Sequence, residues 1–320
     1  AIGTINGLTS INGGQVGGNR NVIINGAQEV SQRHAGASVP SSSQYVTDRW
    51  KVQSAGSAGD SQQIASTIAG FKSSLKYTGD ASIAWNQIGQ QIEYKNYAHL
   101  VGEDVTISFY AKANNTNGGS TALVLRTRTV TGEDGGALFA GANTDTSVTI
   151  STTAARYTVA RTIPADSKGF SVEFSLGAHV NTDGYEITGI QLELGTVTAF
   201  EYRSFGEELA LCQRYYQKTY NSDVNPATVT NVGAQITRAH ASSGVFYVEL
   251  QRNTKVTMRA TPTVTPYSTN GASGKIKGSS DITVSAINDE GANSFGYPQL
   301  ASGVSAGNDV RCHYVASAEL

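Results

Sequence analysis

The chain has 320 residues, with 35 Gly, 23 Lys plus Arg and 25 Asp plus Glu, for a formal net charge of −2. Only 15% of residues are charged and 39% are hydrophobic, which allows a core but excludes the basic surface that nucleic-acid binding needs. No run of about 20 apolar residues exists to form a transmembrane helix, no charged-then-apolar leader opens the chain, and few Lys, Glu and Leu argue against a helical protein.

Residues 1–20 read AIGTINGLTSINGGQVGGNR and place Ile2, Ile5, Leu8 and Ile11 three residues apart. A spacing of three fits neither the strand period of two nor the helix period of 3.6. It suits an extended, threefold chain. Apolar residues in such a segment are buried only against something else. Residues 1–20 are therefore expected to be an assembly arm that packs on another copy of the chain or on a partner.

Residues 21–203 are dominated by alternating apolar and polar residues, the pattern of half-buried strands. Val105, Ile107, Phe109 and Ala111 form one such set, and Phe170, Val172, Phe174 and Leu176 another. Leu123 and Leu125, Val148 and Ile150, Tyr157 and Val159, and Ile190, Leu192 and Leu194 continue it. The stretches 114–120 and 132–146, rich in Gly, Asn, Thr and Asp, read as loops. Helical stretches between these strands are missing, so the expectation is an all-β fold, an antiparallel jelly-roll sandwich.

Residues 204–220 break the pattern. Ser204 and Glu207 have capping-box spacing, Glu207 and Glu208 sit where a helix dipole favours anions, and Arg214 and Lys218 where it favours cations. Leu209, Cys212 and Tyr216 recur at helical spacing, with Leu211 and Tyr215 alongside. A linking helix over 204–220 is expected, with Leu209, Leu211, Tyr215 and Tyr216 as oligomerisation candidates. Residues 221–320 return to strands, best at 245–250, 255–259, 282–287 and 310–315, and are expected to form a second, smaller β domain. Cys212 and Cys312 are two distant cysteines, read as small buried hydrophobes, with one long-range disulfide as the alternative.

Catalytic motifs are scarce. His34, His99, His179, His240 and His313 are scattered, and no metal-binding spacing, nucleophile elbow or phosphate-cradling loop occurs. Glu103-Asp104 and Glu133-Asp134 read as solvated turn charges rather than a glycosidase pair. Sugar binding has better candidates, because sugars stack C–H faces on aromatic rings while amides bond their hydroxyls. Trp85, Tyr94 and Tyr97 lie among Asn86, Gln87, Gln90 and Gln91. Phe295 and Tyr297 flank Gly296 in a second candidate tip. Trp50, in an Asp-Arg-Trp run, reads as core.

The opening NVIINGAQE (21–29) and the closing YEITGIQLE (185–193) resemble the first and last strands of carbohydrate-binding-module jelly rolls. That resemblance implies that these segments pair. It also implies a structural calcium ion, for which Glu29 is a weak candidate because Thr188-Gly189 stand where acidic residues are usual. A wider resemblance rests on NVIINGAQEVSQR, YVTDRW, QQIEYKNYAHLVGEDVTISFYAKA, ITGIQLELG, FEYRSFGEELALCQRYYQKTY, TKVTMRATPTVT and the ending VASAEL. These are similar to segments of tailed-bacteriophage tail fibre and minor virion structural proteins. The resemblance implies an appendage or surface protein of a virion, usually a homotrimer that touches host surface glycans. With it, other virion proteins are the expected partners of the arm, and the scarcity of catalytic motifs makes a non-enzymatic protein the expectation. A capsid decoration protein or head fibre and a glycan-degrading tail spike are the alternatives. No 20–50-residue repeat of the kind common in tail depolymerases is present.

Overall fold

A computed structural model describes residues 10–11, 14–15, 20–56, 59–114, 122–136, 138–179, 183–242, 245–248, 254–288, 290–294, 298–300 and 307–320. Two compact units form. The first comprises Ala1–Glu29, Gly36–Ser204 and Leu320, and the second Val30–Ala35 and Phe205–Glu319. Every strand pairing among the described residues is antiparallel.

In the first unit a short pair, β1 (Ser10–Ile11) and β2 (Gly14–Gln15), precedes the sandwich. The sandwich strands are β3 (Val39–Pro40), β4 (Gln44–Thr47), β5 (Trp50–Gly56), β6 (Asp60–Ala65), β7 (Ser73–Thr78) and β8 (Ile83–Ile92). A single-turn helix α1 (Tyr94–Tyr97) follows, then β9 (Asp104–Ala113), β10 (Ala122–Val130), β11 (Ala142–Thr149), β12 (Ala155–Thr162), β13 (Gly169–Leu176) and β14 (Gly184–Leu194). One six-stranded sheet has the order β11-β10-β13-β8-β5-β4 and the other β12-β9-β14-β7-β6-β3. This is the all-β jelly-roll sandwich expected from the alternation.

Side chains alternate across each strand, so every second residue enters the space between the sheets. Trp50, Val52, Ile88, Leu125, Val172 and Phe174 do so from the first sheet, and Leu75, Ile107, Phe109, Val159, Ile187 and Leu192 from the second. Phe109 meets Phe174 edge-on, with centroids 4.7 Å apart. Trp50 is fully buried, with its indole N–H donating to the Asn25 carbonyl at 3.0 Å. The opening segment runs along the closing strand without becoming a regular strand. Val22 N–H donates to Leu192 O (3.2 Å), Ile190 N–H to Gly26 O (3.0 Å), and the Asn21 amide caps both sides through Leu192 N–H and Ile190 O.

The second unit holds α2 (Phe205–Gln213), β15 (Tyr216–Lys218), β16 (Gln235–Ser242), β17 (Val245–Val248), β18 (Thr263–Tyr267), β19 (Lys275–Lys277), β20 (Asp281–Ile287), β21 (Pro298–Leu300) and β22 (Asp309–Ser317). Its strands follow the order β15-β22-β16-β17-β21-β20-β19, and a β22–β19 pairing closes six of them into a ring. Ile276, Ile282, Leu300, Val310 and Cys312 cluster in one core. Met258, Tyr314, Ala316 and Ala318 form another.

Residues 30–35, although early in sequence, belong to this unit. The Arg33 guanidinium lies 3.7 Å from the Tyr216 ring centroid and pairs with Glu319 at 2.7 Å. The buried Lys218 ammonium donates to the carbonyls of Gln32, Ser222 and Val224.

Three expectations need correction. The helix ends at Gln213 rather than near 220, because Tyr216–Lys218 pair with Val315–Ser317; ladder hydrogen bonds there replace helical ones. Residues 255–259 form no strand: Lys255 and Met258 N–H are held instead by Gln217 Oε1 (2.6 Å) and Ala292 O (2.8 Å). The stretch read as a loop at 132–146 contains the first part of β11, an edge strand whose polar residues are tolerated by exposure. The two cysteines are buried and neither is in a disulfide, so the disulfide alternative falls.

Candidate functional site

The clearest candidate surface is the outer face of the sheet β11-β10-β13-β8-β5-β4. Alternation that sends Val52, Ile88, Val172, Phe174 and Leu125 inward sends their polar neighbours outward. Strand register then places Lys51, Gly89, Glu173, Arg126 and Asp145 in one row across five strands. Gln53, Gln87, Ser175, Val124 and Ser147 make the next row. Trp85 stands beyond Gln87 on the same face of β8, opposite Ala55, and is half-buried.

The centre of this face is fixed by charge. The Glu173 carboxylate is fully buried and accepts from Arg128 Nε at 3.0 Å, Ser171 Oγ at 2.8 Å and Phe139 N–H at 2.9 Å. Arg126 grips Asp145 through two 2.7 Å bonds, and this contact holds the Asp145 carboxyl below its usual range. Residues 134, 135 and 138 lie over the sheet beside Gly89 and Gln91. Gln91 Nε2 donates to Gly135 O at 2.7 Å, and a Cβ at Gly89 would lie 2.7 Å from Leu138 Cδ1 and from Glu173 Cγ. Only glycine leaves room for that approach.

Beside this wall the floor is partly open: Lys51, Gln53 and Trp85 are half-buried, and Gln87 is 8% exposed. Among the described residues, no hydrogen bond or ion pair occupies the side chains of Lys51, Gln53, Trp85 or Gln87. An aromatic ring next to two uncommitted amides and an ammonium can stack a sugar face and bond its hydroxyls.

The sequence candidates divide on this geometry. Trp85 and Gln87 share the partly open floor. Asn86 and Gln90 point inward, where Asn86 accepts from the Tyr185 hydroxyl at 2.8 Å and Gln90 clamps Ile24 at 2.7 and 2.9 Å. Tyr97 is corrected from ligand to core. Its ring is sealed from solvent against Phe170, and burial pushes its phenol up to about 12. Tyr94 packs edge-on against Tyr97 at 5.6 Å and is half-buried. Phe295 and Tyr297 lie outside the described residues, as do Ile2, Ile5 and Leu8; of Ile11 only its place in β1 is described.

Of the oligomerisation candidates, Tyr215 and Tyr216 are corrected: both are buried in the chain, at 0% and 5% exposure. Leu209 and Leu211 are half-buried on α2. Glu29 does not fit a calcium site. No group of three or more His, Cys, Asp or Glu able to hold a metal forms among the described residues. The hydroxyl of Thr188, at the position where an acidic ligand is usual, donates to Ser73 O at 2.8 Å.

Lys51, Gln53, Arg126, Asp145 and Glu173 were not singled out from sequence. Their signal is the polar half of each alternating strand. It becomes legible only once strand order says which polar halves share a sheet.

No protein-family model matches the chain, and no curated protein matches it in sequence. Among solved structures, the enzymatically active domain of tailspike protein 4 of bacteriophage CBA120 is similar at 15% identity and a TM-score of 0.38. That match covers 55% of this chain and 21% of the other, so the chain spans about a fifth of the tailspike domain. The carbohydrate-binding module TmCBM61, solved with β-1,4-galactotriose, is similar at 12% identity over 55% of this chain and 99% of the module, with a TM-score of 0.36. The CBM22-1 xylan-binding domain of Paenibacillus barcinonensis Xyn10C is similar at 17% identity over 52% of this chain and 99% of that one, with a TM-score of 0.34.

Proposed function

We propose that this chain is a glycan-binding subunit of a bacteriophage virion appendage, most simply a tail fibre. The observation that carries the binding role is the partly exposed row of Lys51, Gln53 and Trp85 beside the nearly buried Gln87, whose side chains have no partners among the described residues. Trp85 would stack the apolar face of a sugar ring. Gln53 and Gln87, opposite each other on β5 and β8, would bond its hydroxyls. The virion role, the homotrimer and the partners of the N-terminal arm are supported by the sequence resemblance.

Binding without hydrolysis is the favoured reading of this face. Glycoside hydrolysis needs one protonated carboxylic acid beside a second carboxylate. Glu173 is committed to Arg128, and Asp145 is held ionised by Arg126. Release of reducing sugar from host polysaccharide would overturn this part and favour a glycan-degrading spike. The position of the chain in an imaged particle decides between tail fibre and capsid decoration.

The test of the site is a glycan array followed by titration. Trp85→Ala is expected to weaken binding roughly 30-fold, a loss of about 2 kcal/mol, with the melting temperature little changed. Binding equal to wild type in both Trp85→Ala and Gln87→Ala would refute the floor as the site.

A further inference from the structure

A polar cavity lies in the second unit. Its volume is about 520 Å³, within the range of small-ligand sites, and its walls include Thr230, Asn231, Asn270, Lys277, Asp309 and Arg311. Lys277 on β19 and Arg311 on β22 are direct cross-strand partners. Like charges placed opposite each other repel. Among the described residues neither side chain has an ion-pair partner. The single carboxylate of the lining, Asp309, faces Arg238 at 3.5 Å. With Arg238 on Asp309 and Asp281 opposite Lys277 included, three cations and two carboxylates leave the lining and its immediate neighbours with one net positive charge.

The walls are built in advance. Thr230 N–H donates to Thr269 O at 3.1 Å, and the ring of His313 bonds Thr230 O at 3.1 Å from below. Opposite, Asn270 Nδ2 donates to Asp281 Oδ1 at 3.2 Å, and Gly278 N–H to Ser280 O at 2.9 Å. The hydrogen-bonding side chains of Thr230, Asn231 and Asn270 are neutral and suited to hydroxyls.

We infer that this cavity binds a saccharide carrying one carboxylate, of the uronic-acid type, with the carboxylate between Lys277 and Arg311 and the ring hydroxyls on the Thr and Asn walls. A single net charge matches a monoanion better than a dianionic phosphate. The guanidinium fork of Arg311 suits a planar carboxylate. Among the described residues no aromatic ring lines the cavity, so attraction there rests on charge and hydrogen bonds and is expected to weaken as salt rises. The inference does not depend on the sheet face of the first unit.

The test is calorimetric titration of the full chain with an acidic trimer, a trisaccharide carrying one galacturonate residue, the matching neutral trisaccharide and acetate. The acidic trimer is expected to bind better than the neutral trimer, and acetate to compete poorly. Lys277→Gln and Arg311→Gln are each expected to weaken binding of the acidic trimer by about tenfold. Lys277→Arg should retain binding, and Asp309→Asn, which removes an exposed anion, should tighten it. Trp85→Ala should leave it unchanged. Equal affinity for acidic and neutral trimers, or equal competition by acetate, overturns the proposal. So does loss of acidic-trimer binding in Trp85→Ala with none in Lys277→Gln. If Arg311→Gln fails to fold, Lys277→Gln and Asp309→Asn still decide, because the charge argument demands opposite shifts from them.

Discussion

Tyr97 and Trp85 sit twelve residues apart, carry the same chemical attraction for a sugar, and have opposite fates. Tyr97 ends a single helical turn and turns into the core against Phe170, with its hydroxyl 3.3 Å from Ser167 Oγ. Trp85 falls on the outward side of a strand. Tyr97→Ala is therefore expected to cost about 3–5 kcal/mol of stability, the usual penalty for emptying a large aromatic site. Chemical denaturation checks this, with glycan affinity of the surviving folded protein unchanged. Lys218 makes a comparable point in the other unit. Its ammonium is buried among the backbone carbonyls of Gln32, Ser222 and Val224. Lys218→Met strips those acceptors of a charged donor and is expected to cost about 3 kcal/mol. The same variant should release residues 30–35 to proteolysis, read as a new cleavage near Arg33; an unchanged digestion pattern would mean Lys218 does not hold that segment.

Among the elements, the strongest constraints come from strands that meet. β22 is flanked by β16 and β19 at its start and by β15 and β18 toward its end, so it organises most of the second unit. His313 lies in it, fully buried, stacked 3.8 Å from the Tyr220 ring centroid. Burial pushes its imidazole pKa below the usual value. The sign follows from linkage. Between the lowered folded value and the unfolded value near ~6.5, the unfolded chain binds more protons, so stability falls as pH falls through that window. The contribution is fully present above it. Denaturation midpoints between neutral and mildly acidic pH should therefore drop, and His313→Gln should flatten the slope. An equal slope in the variant would assign the acid sensitivity to another group. Cys312, on the same strand, has its thiol pushed up to about 12 by burial. It should resist thiol reagents until the unit unfolds.

For the whole molecule, assembly is the open quantity. Deleting residues 1–18 is expected to reduce the proposed trimer to monomers, measured by light scattering, while the far-ultraviolet spectrum keeps its β signature. Retention of the same mass would remove the arm from the assembly role. The two units each carry a polar surface with uncommitted groups: one rests on an aromatic floor, the other on a pair of opposed cations. Two sites of this kind on one subunit, repeated in an oligomer, would raise avidity well above single-site affinity. Receptor binding by the full assembly should then exceed that of the arm-deleted chain by more than the number of copies.

The sequence by itself determined the class of fold, because alternation at 105–111, 170–176 and 190–194 can bury only one side of a strand. It also determined that Trp50 is core and that Trp85 neighbours useful amides. What it left open was every property set by strand order. Glu173, Arg126 and Asp145 become one row only when β13, β10 and β11 lie side by side, and no local pattern encodes that adjacency. Tyr216 carries helical spacing, yet it joins β22, because ladder bonds to a segment about a hundred residues away displace the helical ones. Tertiary structure likewise decided that residues 30–35 serve the second unit and that Lys277 faces Arg311. Local periodicity selects which side of an element is buried. Only the closing of long-range pairings selects which polar sides meet, and the candidate binding surfaces arise at those meetings.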